Sequence, residues 1–192
     1  MNHRRSFPLL AAGAAVLAGL AAAPASALAA GANLVANGGF ETGDFGGWTA
    51  VGNTGYGAVA CGGAPEGDCE AVFGPIGSLG GIAQSVATTA GGEYAISFVL
   101  DSDGGTPGAV RVDFGARTLL ELADPPAAGD QTFTFDAFAT GPASILRIQF
   151  RDDSGLMSLD DVRVSAVPEP AGLALMGAGL LGLAAVRRRR AP

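Results

Sequence analysis

The sequence predicts an all-β sandwich between residues 31 and 167, and three observations carry that prediction. Apolar residues in this stretch alternate with polar or small ones, the period of a strand with one buried face. Breaks at Gly38-Gly39, Gly46-Gly47, Gly62-Gly63, Gly104-Gly105 with Pro107, Asp124-Pro125-Pro126 and Gly141-Pro142 divide it into about eight to ten short strands. No segment carries a convincing helical period, and short strands at this spacing are the pattern of a β-sandwich.

The elements follow in chain order. Asn33 to Thr49 opens the domain, with Trp48 after Gly46-Gly47 expected in the core. Tyr56 lies in the loop Gly52 to Gly57 and is the candidate for an exposed, ligand-stacking ring. Cys61 and Cys69 are the only cysteines and enclose seven Gly- and Pro-rich residues. In an exported chain they are expected to form a disulfide, because the compartment is oxidising and two thiols alone make a poor metal site. Glu66, Asp68 and Glu70 around Cys69 are read as solvated acids. Ile82 to Ala90 and Glu93 to Leu100 flank Gly91-Gly92, which predicts a hairpin, with Tyr94 on the buried face beside Ile96 and Phe98. Asp101-Ser102-Asp103-Gly104-Gly105 shares residues with a calcium loop but lacks the closing glutamate and flanking helices, so it is read as a turn. Val110, Val112 and Phe114 mark the next strand, then Phe133 and Phe135 with Phe138 as core packing, then Leu146, Ile148 and Phe150, then Val162 and Val164.

Charge excludes whole classes of function. The chain has 192 residues, 48% of them hydrophobic, and combines a mean hydropathy of +0.35 with a pI near 4.5. The two figures belong to different segments. Between Gly31 and Val167 there are five arginines (Arg111, Arg117, Arg147, Arg151, Arg163) against seventeen acids, a formal charge of −12. Such a surface repels phosphate backbones, which excludes nucleic acid as a partner. The chain has no lysine and its one histidine is His3, so the domain lacks the usual neutral-pH bases and amine nucleophiles, and no enzyme activity is expected. A glycoside hydrolase, the least favoured reading, would need two carboxylates facing each other in one cleft.

The ends read as addresses. Arg4-Arg5, the apolar run Leu9 to Ala23 and the small residues of Pro24-Ala25-Ser26-Ala27 form a secretory signal peptide over residues 1–27, with cleavage after Ala27 or, second, Ala29. The partial match of Ser6-Phe7-Pro8 to a twin-arginine signal favours the Sec route over Tat. At the other end Ala171 to Val186 carries no charge, follows Pro168-Glu169-Pro170 and precedes four arginines. As a helix it would span about 24 Å, short of a hydrocarbon core of about 30 Å. It is expected to be a marginal inner-membrane anchor with the arginines cytoplasmic.

The order Pro-Glu-Pro, short hydrophobic stretch, arginine cluster over residues 167–190 resembles the PEP-CTERM sorting signal of Gram-negative bacteria. The resemblance implies recognition by an exosortase-type membrane protease near Pro168, Glu169 and Pro170, removal of the tail, and release or surface attachment, often beside exopolysaccharide production. Asn33 to Thr49, reading NLVANGGFETGDFGGWT, together with Ser158 to Val164, reading SLDDVRV, resembles the first and last strands of jelly-roll, galactose-binding-like domains that include carbohydrate-binding modules. That resemblance implies a structural calcium where the terminal strands meet, held by Glu41 and one of Asp160 or Asp161. Hard carboxylate and carbonyl oxygens suit that ion. Strand alternation places Asp160 on the face of Val162 and Val164, with Asp161 opposite, and leaves the choice open. The function expected is a structural or adhesive component of the envelope, matrix or biofilm with polysaccharide as its neighbour; the alternative is a carbohydrate-binding module for exopolysaccharide.

Overall fold

The computed structural model describes residues 31–168 together with 179 and 180. The expected signal peptide, Glu169 and Pro170, the arginine cluster and all but two residues of the hydrophobic tail lie outside the described residues. Among the described residues no helix is long and apolar enough to cross a membrane.

The described residues form ten strands: β1 (Thr49–Gly52), β2 (Gly57–Cys61), β3 (Cys69–Phe73), β4 (Gly80–Ala87), β5 (Glu93–Ser102), β6 (Gly108–Phe114), β7 (Arg117–Ala123), β8 (Gln131–Phe138), β9 (Ala143–Asp152) and β10 (Met157–Ala166). They build two five-stranded sheets, ordered β1-β4-β9-β6-β7 and β2-β3-β10-β5-β8, and all eight neighbouring pairs are antiparallel. The all-β sandwich is therefore as the alternation predicts.

The core lies between the inner faces. Ile96, Phe98, Val162 and Val164 of one sheet meet Val112, Leu146, Ile148 and Phe150 of the other, and all of these are inaccessible to solvent or nearly so. The rings of Phe73 on β3 and Phe150 on β9 stack across the gap at 4.6 Å and tie the sheets together. Each such side chain contributes about 1.5–3 kcal/mol through its removal from water. Trp48 is buried, stacks on Phe40 at 6.0 Å and donates its Nε1–H to the Asn37 carbonyl. Tyr94 is buried, its hydroxyl accepting the Thr89 N–H.

Two expectations of local structure are overturned. β4 and β5 do not form a hairpin: β4 pairs with β1 and β9, β5 with β8 and β10, so the chain crosses from one sheet to the other at residues 88–92. The crossing is fastened to the β8–β9 connection, with Thr88 N–H donating to Pro142, Gly91 N–H to Ala139, and Ala139 N–H to Gly92. Gly91, at φ +80°, takes a conformation that glycine adopts without strain. Two alternating strands that face each other across a core carry the same periodicity as two that lie side by side, so periodicity alone did not separate these cases. Phe138, expected in the core, is 63% exposed. It pairs with Glu93 on the outer side of its sheet, one position out of phase with Phe133 and Phe135, which are half-buried against the core.

The domain's two ends meet. Leu34 N–H donates to the Val164 carbonyl, Val162 N–H to Gly38, and the Asn33 side chain bonds both Val162 and Val164, so the opening segment lies along the second half of β10. Gly31 packs against Ala166. The chain thus enters and leaves at one end of the sandwich.

Candidate functional site

Two places on the domain bring chemistry-bearing residues together, one at each end of the β2–β3 hairpin.

The first surrounds Gly39. The Phe40 turn and the β2–β3 loop fold over β10, and a Cβ added at Gly39 would lie 2.8 Å from Glu66 Oε2, 3.7 Å from Asp160 Oδ1 and 3.8 Å from Glu41 Cγ. Glu41 Oε1 accepts the N–H groups of Asp68 and Cys69, both at 2.9 Å. The Cys69 and Asp68 amides hold its carboxyl below the usual range. Asp160 is 1% exposed and accepts from Glu66 N–H at 2.8 Å and Asp161 N–H at 2.6 Å. Burial pushes its carboxyl up.

The alternation argument placed Asp160 wrongly. It pairs with Val99 on the outer side of the sheet, while Val162 and Val164 point into the core. A bulge between Asp160 and Arg163, with Asp161 at φ +49°, inserts the extra residue that reverses the phase. Asp161 is drawn instead into an ion pair with Arg163. Glu66, read from sequence as a solvated acid, is the acid that approaches Gly39. No spacing in the sequence marks it, because it arrives from a loop that only the hairpin and its crosslink bring over β10. Three hard carboxylates around one glycine are chemically suited to a cation of the calcium class. Backbone amides nonetheless hold Glu41 and Asp160, and Glu66 Oε1 pairs with Arg163 at 3.4 Å. Among the described residues, the one set of three His, Cys, Asp or Glu ligand atoms within 4.8 Å of one another is Cys61, Asp68 and Cys69. Those two sulfurs are joined: Cys61 and Cys69 face each other across the hairpin with Cα atoms 4.0 Å apart and form the expected disulfide.

The second place is centred on Tyr56, just before β2. Its ring is 46% exposed and stands between two depressions. One, of about 130 Å³, is lined by Phe45, Phe73 and Ile82 together with Asn53 and Thr54. The other, of about 400 Å³, is bounded by Asn53, Gly74, Ile76 and Leu156. Ile76 and Leu156 are 68% and 42% exposed, so an aromatic face and two aliphatic side chains lie open beside polar groups. The loops are tied down: Asn53 donates to the Ile76 carbonyl at 2.8 Å, Gly77 N–H to Asp153 at 2.8 Å, and Leu156 N–H to Asp103 at 2.9 Å.

Of the sorting residues, Pro168 alone is described, and it is exposed two residues beyond β10.

Comparison with known proteins supplies two findings. Residues 166–190 match the PEP-CTERM protein-sorting motif. No curated protein matches the chain in sequence. In structure the sandwich is similar to TmCBM61, solved with β-1,4-galactotriose (TM-score 0.55, 20% identity, 70% of this chain and 99% of that one). It is also similar to the CBM22-1 xylan-binding domain of Paenibacillus barcinonensis Xyn10C (TM-score 0.52, 18% identity, 73% and 98%). A further likeness is to the enzymatically active domain of bacteriophage CBA120 tailspike protein 4 (TM-score 0.56, 11% identity), of which this chain spans 21% while 70% of itself is covered. The chain therefore joins a PEP-CTERM sorting motif to a sandwich with the jelly-roll fold of carbohydrate-binding modules.

Proposed function

We propose that this is an exported protein, processed by an exosortase, whose sandwich is a non-catalytic adhesive domain that holds surface polysaccharide in the groove around Tyr56. The sorting motif supports export and exosortase processing. One observation carries the binding reading: a half-exposed tyrosine ring beside open depressions at a loop end of the sandwich. Sugar rings present apolar C–H faces rimmed by hydroxyls, and an aromatic face beside Asn and backbone polar groups matches that pattern. Structural neighbours that bind galactotriose and xylan favour this over a purely structural role. A hydrolytic reading is disfavoured at the carboxyl pair behind the groove's Leu156 wall. Asp103 and Asp152 touch each other, whereas glycosidic hydrolysis needs its two carboxyls about 5 Å or more apart. A structural calcium at Glu41 and Asp160 belongs to the same proposal, and Glu41→Gln should lower the calcium bound per chain by one.

The test is retention of the secreted protein on its host's exopolysaccharide in affinity electrophoresis. Tyr56→Ala should weaken retention at least about tenfold, the effect of losing a central aromatic anchor, with the melting temperature unchanged. Equal retention of the two proteins would reject the groove; no retention of either on any host glycan would reject the binding reading and leave the structural one.

A further inference from the structure

Beneath the Leu156 wall of that groove, the β5–β6 and β9–β10 loops bring two carboxyl groups into direct contact. Asp103 accepts N–H groups from Gly105 at 2.8 Å and Leu156 at 2.9 Å. Asp152, at the end of β9, is 1% exposed; its Oδ1 accepts Ser154 N–H at 3.2 Å, while its Oδ2 receives no hydrogen bond from any described residue. Both groups crowd one face of Gly105, where a Cβ would lie 2.3 Å from Asp152 Oδ1 and 3.0 Å from Asp103 Oδ1. A Cβ at Gly155 would fall 1.7 Å from Asp103 Oδ2. A Cβ at either position would displace one of these carboxyl groups, so the glycines of Asp-Ser-Asp-Gly-Gly at 101–105 and Asp-Asp-Ser-Gly at 152–155 let the pair sit where it does.

Two carboxylates in contact, one of them buried, are relieved either by a shared proton or by a cation. The neighbouring arginine does not serve: Arg151 is paired with Asp153 at 2.7 Å, turned toward Gly77. Asp124, the other acid nearby, accepts Gly108 N–H.

We propose that Asp103 and Asp152 seat a divalent cation of the calcium class, distinct from the one proposed at Glu41 and Asp160. Hard oxygen donors in Asp-, Ser- and Gly-rich loops suit that ion, and backbone carbonyls and water complete its six to eight ligands. The unpartnered Oδ2 gains a ligand bond, and the like charges gain a counter-charge. Protons compete with a cation for carboxylate ligands, so binding weakens as pH falls. Because Leu156 N–H rests on Asp103, the cation would also fix one wall of the Tyr56 groove; the site itself does not depend on the glycan reading.

The experiment counts calcium bound per secreted chain by equilibrium dialysis at neutral pH. Asp152→Asn and Asp103→Asn should each lower the count by one, and Glu41→Gln should leave this ion in place, so the two seats are read separately. If Asp152→Asn does not fold, Asp103→Asn, on an exposed loop position, gives the reading alone. An unchanged count in the Asp103→Asn protein, or no bound calcium in the unaltered chain, overturns the proposal. The pair would then share a proton, and the unaltered chain would lose melting temperature as pH rises while Asp152→Asn would not.

Discussion

At the scale of single residues, Asp153 on one side and Asp152 and Asp160 on the other have opposite pH behaviour. Asp153 takes two hydrogen bonds from Arg151 and one from Gly77 N–H, and these hold its carboxyl down to about 2 against an ordinary 3.8. A depressed carboxyl stabilises the fold at pH above its unfolded value and loses that stabilisation as pH falls toward its folded value. The urea midpoint of the unaltered protein should therefore drop between 3.8 and about 2, and Asp153→Asn should flatten that part of the acid limb; an identical limb would mean that the pair contributes nothing. Asp160 and Asp152 run the other way. Their carboxyls are raised by burial, so their contribution is present at low pH and lost as pH rises through their folded values, unless a cation takes the proton's place. Exposure of Tyr56 and burial of Trp48 and Tyr94 were legible in sequence, because loop composition and strand phase locate them. Glu66 and Asp152 were not, since what distinguishes them from the other acids is which loop folds over them.

At the scale of elements, the β2–β3 hairpin links both sites, and its crosslink sets how well one of them is formed. Cys61 and Cys69 close a loop eight residues apart in sequence. Chain-entropy reasoning gives that closure about 2.5 kcal/mol of stability. Urea unfolding with and without reductant should differ by about this amount, and Cys61→Ser with Cys69→Ser should match the reduced protein. The same treatment should loosen Glu66 and the Asp68 and Cys69 amides that hold Glu41, so calcium dependent on Glu41 should weaken together with stability. Agreement between oxidised and reduced midpoints would place the loop's order in its hydrogen bonds instead. The bridge was readable because only two cysteines exist. The strands were readable because Val110, Val112 and Phe114, or Leu146, Ile148 and Phe150, leave no other period. Sheet membership was not: Gly91-Gly92 permits a tight turn, but the buried faces of β4 and β5 need opposing sheets, and only long-range bonds to Ala139 and Pro142 decide it. Likewise a single inserted residue at Asp161 reversed the phase on which the assignment of Asp160 rested.

At the scale of the whole molecule, β10 runs from the wall of the Tyr56 groove to the start of the sorting motif. Met157, at its start, follows Leu156 in the groove wall, and Ala166, at its end, leads within two residues to Pro168 and the sorting motif. Ten extended residues cover about 33 Å, so a chain fastened near Pro168 carries the Tyr56 groove on the end directed away from the surface. Gly31 packs on Ala166, which puts the start of the domain at the same end as the sorting motif. This arrangement suits an adhesive domain and can be read directly, because each end offers a hydrophobic side chain of similar exposure, Ile76 at 68% beside the groove and Phe138 at 63% near the tail. Placed one at a time as Ile76→Cys and Phe138→Cys, the two thiols should react equally with a membrane-impermeant maleimide in the released protein. On intact cells Ile76→Cys should keep that reactivity while Phe138→Cys is shielded by the surface to which the chain is fastened. Equal labelling of the two thiols on cells would mean that the surface shields neither end, protein found only in the medium would mean release after sorting, and preferential labelling of Phe138→Cys would mean that the groove faces inward, against the arrangement β10 implies.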